Sequence, residues 1–297
     1  PGSGPGEFGR GPLDLLLTTG DTVLVPDVQN RRMNRFGPDG ASLPSFPVDL
    51  AKGRPLRFNW DAPSRSSAVQ VRPTRPEEGS AGMDAIRVVE TSGAFGDTLL
   101  VVPSGGLFEG AGLRYFTPEP AWEITDSLTV IYAVNSVYSI SFYDRDGSLR
   151  RIVRKAFQPR PITERDIRAI FVYLDRAWLA AGVPPQRLEA NHQGIGFAEF
   201  FPAFFSFQVG YEGSLWVQPV RSPGDLSDEE IERYDFVEDF GDSEWDVFDR
   251  EGRYLGIVSM PPRFQPRLFH HDAIYGVLRD DLDVQHVVRV CVMERLR

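Results

Sequence analysis

Cysteine is almost missing from these 297 residues: Cys291 stands alone. One thiol closes no intrachain disulfide and supplies neither a CxxC redox pair nor a zinc site by itself. Disulfide-stapled scaffolds and zinc ribbons are therefore excluded, while the redox compartment stays open. Cys291 sits in the alternating run RVCVM, which reads as a strand with a buried thiol. Histidine is scarce too, with only His192, His270, His271 and His286. No serine nucleophile elbow, phosphate loop or HExxH pair occurs. Long apolar runs are also missing. None approaches the ~18 residues that a membrane-spanning helix requires. No leader-like segment is present; the chain begins at Pro1, so any targeting segment is expected upstream of it.

What is present suits a folded β-rich chain. Hydrophobic residues make up 41%, enough to bury a sizeable core, and disorder is excluded. Gly 28 and Pro 24 fit many tight turns between short strands, and 21 Phe supply bulk for packing.

The formal charge of −10 is concentrated in one place. Between Asp225 and Asp246 there are eleven acids against one base, Arg233, so this segment carries the whole surplus and the remainder is neutral. Such a patch repels nucleic acid and attracts a basic protein surface. The contact residues expected for that partner are Asp228, Glu229, Glu230, Glu232, Asp235, Glu238, Asp239 and Asp242. The bland alternative is a solubilising loop, but Tyr234, Phe236, Phe240 and Trp245 alternate with the acids and such a loop does not need them. The densest basic run, Arg150, Arg151, Arg154, Lys155 and Arg160, reads as a solvated face.

Repeats organise the chain. RFGPDG (Arg35 to Gly40), FYDRDG (Phe142 to Gly147) and VFDREG (Val247 to Gly252) share an aromatic before an acidic turn ending in Gly. Their glycines are 107 and 105 residues apart, which fits two propeller blades per interval. GDTVLV, GDTLLVV, DSLTVIYAV, GSLWVQ and DAIYGVL read as inner strands, and DVQHVVRVCV as a middle or outer one. A helix is expected over about 163–182, with Thr163 as N-cap and Asp166 in the capping-box position. Ser227 and Glu230 make a second capping box at a short acidic helix. Residues 60–82 and 103–120 are rich in Pro, Gly and Ser and read as long loops. No second domain is apparent, so residues 1–297 are expected to form one.

The opening of the chain resembles an NHL repeat. GSGPGEF, Pro12, VLVPD (Val23 to Asp27), Asn30-Arg31-Arg32, Phe36 and Pro38-Asp39-Gly40 follow that pattern in order. Later blades keep only the strand and DG turn, so the strong likeness covers about a sixth of the chain. The layout as a whole is similar to exported bacterial six-bladed propellers of uncharacterised function. The resemblance implies an all-β, six-bladed β-propeller with short helical inserts. It also implies export to the periplasm or beyond, often with a lipid-bearing Cys upstream, and a strand before Pro1 that closes the ring.

Chemistry is sparse. Metal-dependent propeller lactonases carry Glu, Asn and Asp at the channel; the residues of matching type here are Asp27, Asn30, Glu123, Asn135 and Asn191. Asp27 and Asn30 fit better as turn-stabilising parts of the NHL pattern. His270-His271-Asp272 is the best-looking ligand cluster, but adjacent residues on a strand point to opposite faces. The Phe-dense run FAEFFPAFFSF (Phe197 to Phe207) offers contact area to a partner or fills the core. The expectation is a non-catalytic protein-binding or scaffolding propeller, without metal or cofactor. Its expected partner is a basic protein surface, as on a membrane-embedded respiratory or photosynthetic complex that it serves as an accessory subunit. The alternative is a lactonase-like, metal-dependent hydrolase or lyase; carbohydrate binding by channel aromatics is a third.

Overall fold

Short alternating runs separated by glycine-ended turns fold into consecutive antiparallel meanders. The computed structural model describes residues 2, 4, 7–9, 15–18, 21–48, 50–61, 64–74, 82–104, 113–125, 127–280 and 284–291. The first meander is β1 (Leu16–Thr18), β2 (Thr22–Asp27), β3 (Arg32–Phe36) and β4 (Ser42–Pro47). The second is β5 (Arg54–Trp60), β6 (Ser67–Arg72), β7 (Met83–Val89) and β8 (Phe95–Pro103). After β9 (Leu113–Tyr115) comes the third, β10 (Pro120–Ile124), β11 (Val130–Val134), β12 (Ser139–Tyr143) and β13 (Leu149–Arg154). Helices α1 (Glu164–Ala180) and α2 (Leu188–His192) and strand β14 (Ile195–Phe197) follow, and β14 pairs with β9 in parallel. The fourth meander is β15 (Ser206–Val209), β16 (Leu215–Gln218), β17 (Glu244–Phe248) and β18 (Tyr254–Ser259), with α3 (Asp228–Ile231) and α4 (Phe236–Asp239) between β16 and β17. The fifth has three strands, β19 (Phe264–Phe269), β20 (Ala273–Arg279) and β21 (Gln285–Cys291).

The fold class is thus all-β, of the β-propeller type, with short helical inserts. The described residues form six sheets, five of them antiparallel meanders and one the parallel β9/β14 pair. The three DG or EG turns join the third and fourth strands of the first, third and fourth meanders. In each, the glycine N–H closes the turn with positive φ (Gly40 76°, Gly147 80°, Gly252 83°), which suits a residue lacking Cβ. Gly93 repeats this turn between β7 and β8, so the first long interval does hold two blades. The second interval is spent differently: the chain for one of its blades goes into α1, α2 and the parallel pair.

Contact density divides the chain into two units. The first comprises Pro1–Gly105, Trp122–Tyr132 and Ile140–Ile152. Its cores gather Leu16, Leu24, Met33, Phe58 and Val69 in one cluster and Ile86, Leu99, Trp122 and Val130 in another. A polar thread runs through it. Trp122 Nε1 donates to Gln70 Oε1 at 2.9 Å, and Gln70 Nε2 donates to Asp84 Oδ2 at 2.8 Å. Arg72 and Ser104 also donate to the fully buried Asp84. The NHL-like opening is held the same way. Asp27 accepts from the Gly9 N–H and from Asn30 Nδ2, while Arg32 donates to the Gly4 and Glu7 carbonyls. Pro12, Ser3, Pro5 and Gly6 of that pattern lie outside the described residues.

Gly53 shows how tightly β5 enters its sheet. Its φ is 129°, and a Cβ there would lie 2.4 Å from the Arg72 carbonyl oxygen. Gly53→Ala is expected to destabilise the chain by about 2 kcal/mol, through backbone strain and displacement of β6. Urea unfolding measures it; a shift below a few tenths of a kcal/mol would contradict the geometry.

The second unit comprises Gly106–Ala121, Ala133–Ser139 and Val153–Arg297. Ala169, Ile170 and Leu174 of α1 pack with Tyr115, Phe116, Phe201 and Phe240. Both expected capping boxes are present, Thr163 with Asp166 and Ser227 with Glu230.

Three expectations are corrected. Cys291 is exposed, because β21 is an outer strand whose thiol points away from the core. GDTLLVV is β8, an outer strand and not an inner one. The stretch 60–82 contains β6, the most buried strand of its sheet, since SAVQV is a continuous apolar core strand with one buried Gln; residues 75–81, and 105–112 of the second loop, lie outside the described residues. Of the two readings of the Phe-dense run, core filling holds for Phe201, Phe204 and Phe207, which are buried, while Phe200 is its one exposed Phe.

Candidate functional site: an acidic segment and the cleft beside it

The segment 225–246 leaves the second strand of the fourth meander and returns as the third. Its acids do not form a uniform patch. Asp225 takes both Arg160 guanidinium nitrogens, at 2.6 and 2.7 Å, and those bonds hold its carboxyl below the usual range. Asp228 pairs with Arg165 at 2.8 Å. Glu230 is spent on the Ser227 backbone and hydroxyl at the capping box, which lowers its pKa, and it meets Arg221 at 3.4 Å. Asp235 caps α4 by accepting from the Val237 N–H at 2.9 Å. Glu238 pairs with Arg279 at 2.7 Å and also accepts from Gln265. Asp239 accepts from the Asp235 N–H, yet burial outweighs this and raises its pKa. Of the eight expected contact residues, Glu229 and Glu232 alone are exposed with no cation in ion-pair reach among the described residues. Asp242 is half-buried beside a cleft.

The run Asp242-Ser243-Glu244-Trp245-Asp246 enters β17, and alternation sends the three acids to one side and Trp245 into the core. The cleft on the acid side has a volume of about 370 Å³. Asp246 forms its back. This carboxylate is 3% exposed and accepts from Lys155 Nζ at 2.6 Å, Tyr138 OH at 2.8 Å and Tyr254 OH at 3.1 Å. The ammonium lies 4.9 Å from the Tyr254 ring centre and 5.8 Å from that of Tyr138. Burial, with the neighbouring Asp246 charge, pushes the Tyr138 phenol far up; burial and the Asp246 hydrogen bond raise Tyr254. Both phenols therefore stay protonated donors, and the four groups form a neutral, satisfied cluster. Arg160 is exposed, as expected of a solvated face, and pairs with Asp225 there, while Lys155 is half-buried against Asp246.

Asp166 anchors the segment's start. It is fully buried and accepts from Thr163 N and Oγ1, from Ser222 Oγ at 2.5 Å and from Gly224 N at 2.8 Å. Burial works against its charge, but these bonds outweigh it and hold the carboxyl below its ordinary value.

Four of the five lactonase-type candidates are engaged by protein hydrogen-bond partners. Asp27 and Asn30 share the β2–β3 turn, where Asn30 Nδ2 donates to Asp27 Oδ2 at 2.7 Å. Glu123 accepts from Asn59 and Arg57. Asn135 bridges the Glu119 N–H and the Phe204 carbonyl. Asn191 lies on α2, beside His192, whose ring stacks on Phe171 and meets Asp175 at 2.7 Å. Among the described residues, the one group of three or more potential metal ligands within 4.8 Å of one another is His270, His271 and Asp272. They are exposed, and Asp272 already binds Arg289 at 2.5 Å. Glu244, Asp246, Lys155 and Tyr138 were not singled out from the sequence as site residues. The alternation of acids at 242, 244 and 246 was the signal that could have found the first two.

No protein-family model matches the chain, and no curated protein matches it. Among solved structures, a protein of unknown function from Bacteroides caccae is similar at 9% identity and TM-score 0.42, over 93% of this chain and 74% of its own. Virginiamycin B lyase from Staphylococcus aureus is similar at 9% identity and TM-score 0.37, over 96% of this chain and 71% of its own. Kuenenia stuttgartiensis hydrazine synthase reaches 8% identity and TM-score 0.41, over 94% and 60% respectively. Likenesses at this level give no correspondence between residues.

Proposed function

We propose that this chain is a non-catalytic protein-binding module that docks a basic surface of another protein against the α3–α4 insert. The observation that carries this reading is the uneven use of charge in 225–246. Asp225, Asp228, Glu230, Glu238 and Asp246 meet cations outside the insert, while Glu229 and Glu232, one helical turn apart, are exposed with no cation in ion-pair reach among the described residues. Val237 on α4, 63% exposed, adds apolar area to the same insert. A rigidly tethered acidic ridge with an apolar neighbour suits recognition better than solubility alone. In this reading the partner is extracytoplasmic, a subunit of a membrane-embedded complex, on the strength of the resemblance to exported propellers. No observation favours the hydrolase or lyase alternative.

The test is capture of the native partner from mildly solubilised membranes, followed at rising salt, with the wild type and a Glu229→Gln/Glu232→Gln variant. The wild type is expected to release its partner as salt rises, and the variant to hold it at least fivefold more weakly at low salt. Equal retention by both proteins at every salt concentration would overturn the proposal.

A further inference from the structure

We infer that the cleft between Phe157, Phe201 and Asp242 is a binding site for a single organic cation, the guanidinium or ammonium group of a basic side chain. This rests on the proposed basic partner only for the source of the cation; the site itself follows from the cleft. Its volume, about 370 Å³, is at the small end of the ~300–1,000 Å³ typical of ligand pockets. Its walls are apolar and aromatic, with Phe157, Phe201, Pro219 and Val220 suited to an aliphatic stem.

The charges decide the sign of the ligand. Both cations lining the cleft are taken, Lys155 by Asp246 and Arg160 by Asp225 in a two-bonded fork. Asp242 Oδ1 accepts only from the Glu244 N–H at 3.2 Å and the Ser243 hydroxyl at 3.5 Å. Neither Asp242 nor Glu244 has a cation in ion-pair reach among the described residues. The cleft therefore carries two uncompensated carboxylates at the open end of an apolar slot. A metal ion fits poorly, because the three carboxylates do not bring their oxygens within the ligand spacing found at His270, His271 and Asp272. A cation with an apolar stem matches both halves of the lining.

The probe is N-acetyl-arginine amide, titrated into the isotopically labelled protein and followed by shifts of the backbone amides, with N-acetyl-citrulline amide as the uncharged counterpart. Saturable shifts centred on residues 157, 201, 220 and 242–246 are expected for arginine, with citrulline at least tenfold weaker. Asp242→Asn/Glu244→Gln is expected to weaken arginine binding at least tenfold; the Asn retains the acceptor for the Glu244 N–H. Raising salt should weaken the wild-type interaction independently of any variant's folding. Equal shifts by citrulline, salt-insensitive binding, or no saturable shifts in the cleft would each overturn the inference. Partner capture that still depends on Glu229 and Glu232 would then leave the proposed function standing, whereas arginine binding without such capture would leave only the cleft.

Discussion

Replacing Asp166 with alanine is expected to cost about 3 kcal/mol of stability, measured by urea unfolding, and to loosen the start of the acidic segment. The carboxylate is fully buried and serves four donors from two distant places, the N-terminus of α1 and the turn at Ser222 and Gly224. Hydrogen bonds to a charged acceptor contribute ~1.5–3 kcal/mol each, but they share one group and will not add. Alanine removes the capping-box partner and strands the hydroxyl of Ser222, which is 3% exposed. Asp166→Asn should lose about half as much. The hydroxyls of Thr163 and Ser222 can rotate to accept from its amide, but one backbone N–H must face the new NH₂ group. The pH dependence has a definite sign. Because the folded pKa lies below the ordinary 3.8, the stabilisation is present above that value and lost as pH falls through the folded one. The gap between wild type and Asp166→Ala should therefore close under strongly acidic conditions. A gap independent of pH would show that lost packing, not the charge, sets the cost.

The Asp166 site also shows where the sequence was legible and where it was not. Thr163 with Asp166 and Ser227 with Glu230 are three apart, so local helix rules reveal them. The glycine-ended turns are legible for the same reason, since positive φ is a local requirement. Ser222 and Gly224 reach Asp166 across more than fifty residues, and no local rule joins them. Likewise Lys155 and Asp246, 91 residues apart, read separately as members of a basic run and an acidic run. Only the fold makes them one neutral pair, which is why the charge surplus overstated the surface open to a partner. The equal glycine spacing carried information about chain length alone. It could not tell a blade from α1, α2 and a parallel strand pair occupying the same number of residues. Composition misled in the other direction at β6, where SAVQV is a core strand set in a Pro- and Ser-rich context.

Lys155→Met is expected to destabilise the protein by about 2 kcal/mol, more than the removal of an ordinary surface pair, for which ~0–1 kcal/mol is usual. The asymmetry of the pair is the reason. Asp246 is 3% exposed at the back of the cleft, so without the ammonium it is left with the Tyr138 and Tyr254 hydroxyls as its donors. The Lys155 side chain is 36% exposed, which places the cost below the ~3–5 kcal/mol of a fully buried broken pair. Asp246→Leu alone frees Lys155 to turn outward along its flexible stem, leaving the Tyr138 hydroxyl as the main loss. The double variant removes both charges, so its cost should fall short of the sum by at least ~1 kcal/mol. An additive double variant would mean that the Tyr138 and Tyr254 hydroxyls alone carry Asp246. Coupling of the expected size identifies Lys155 as the counter-ion of Asp246, leaving Asp242 and Glu244 as the charge that the cleft presents.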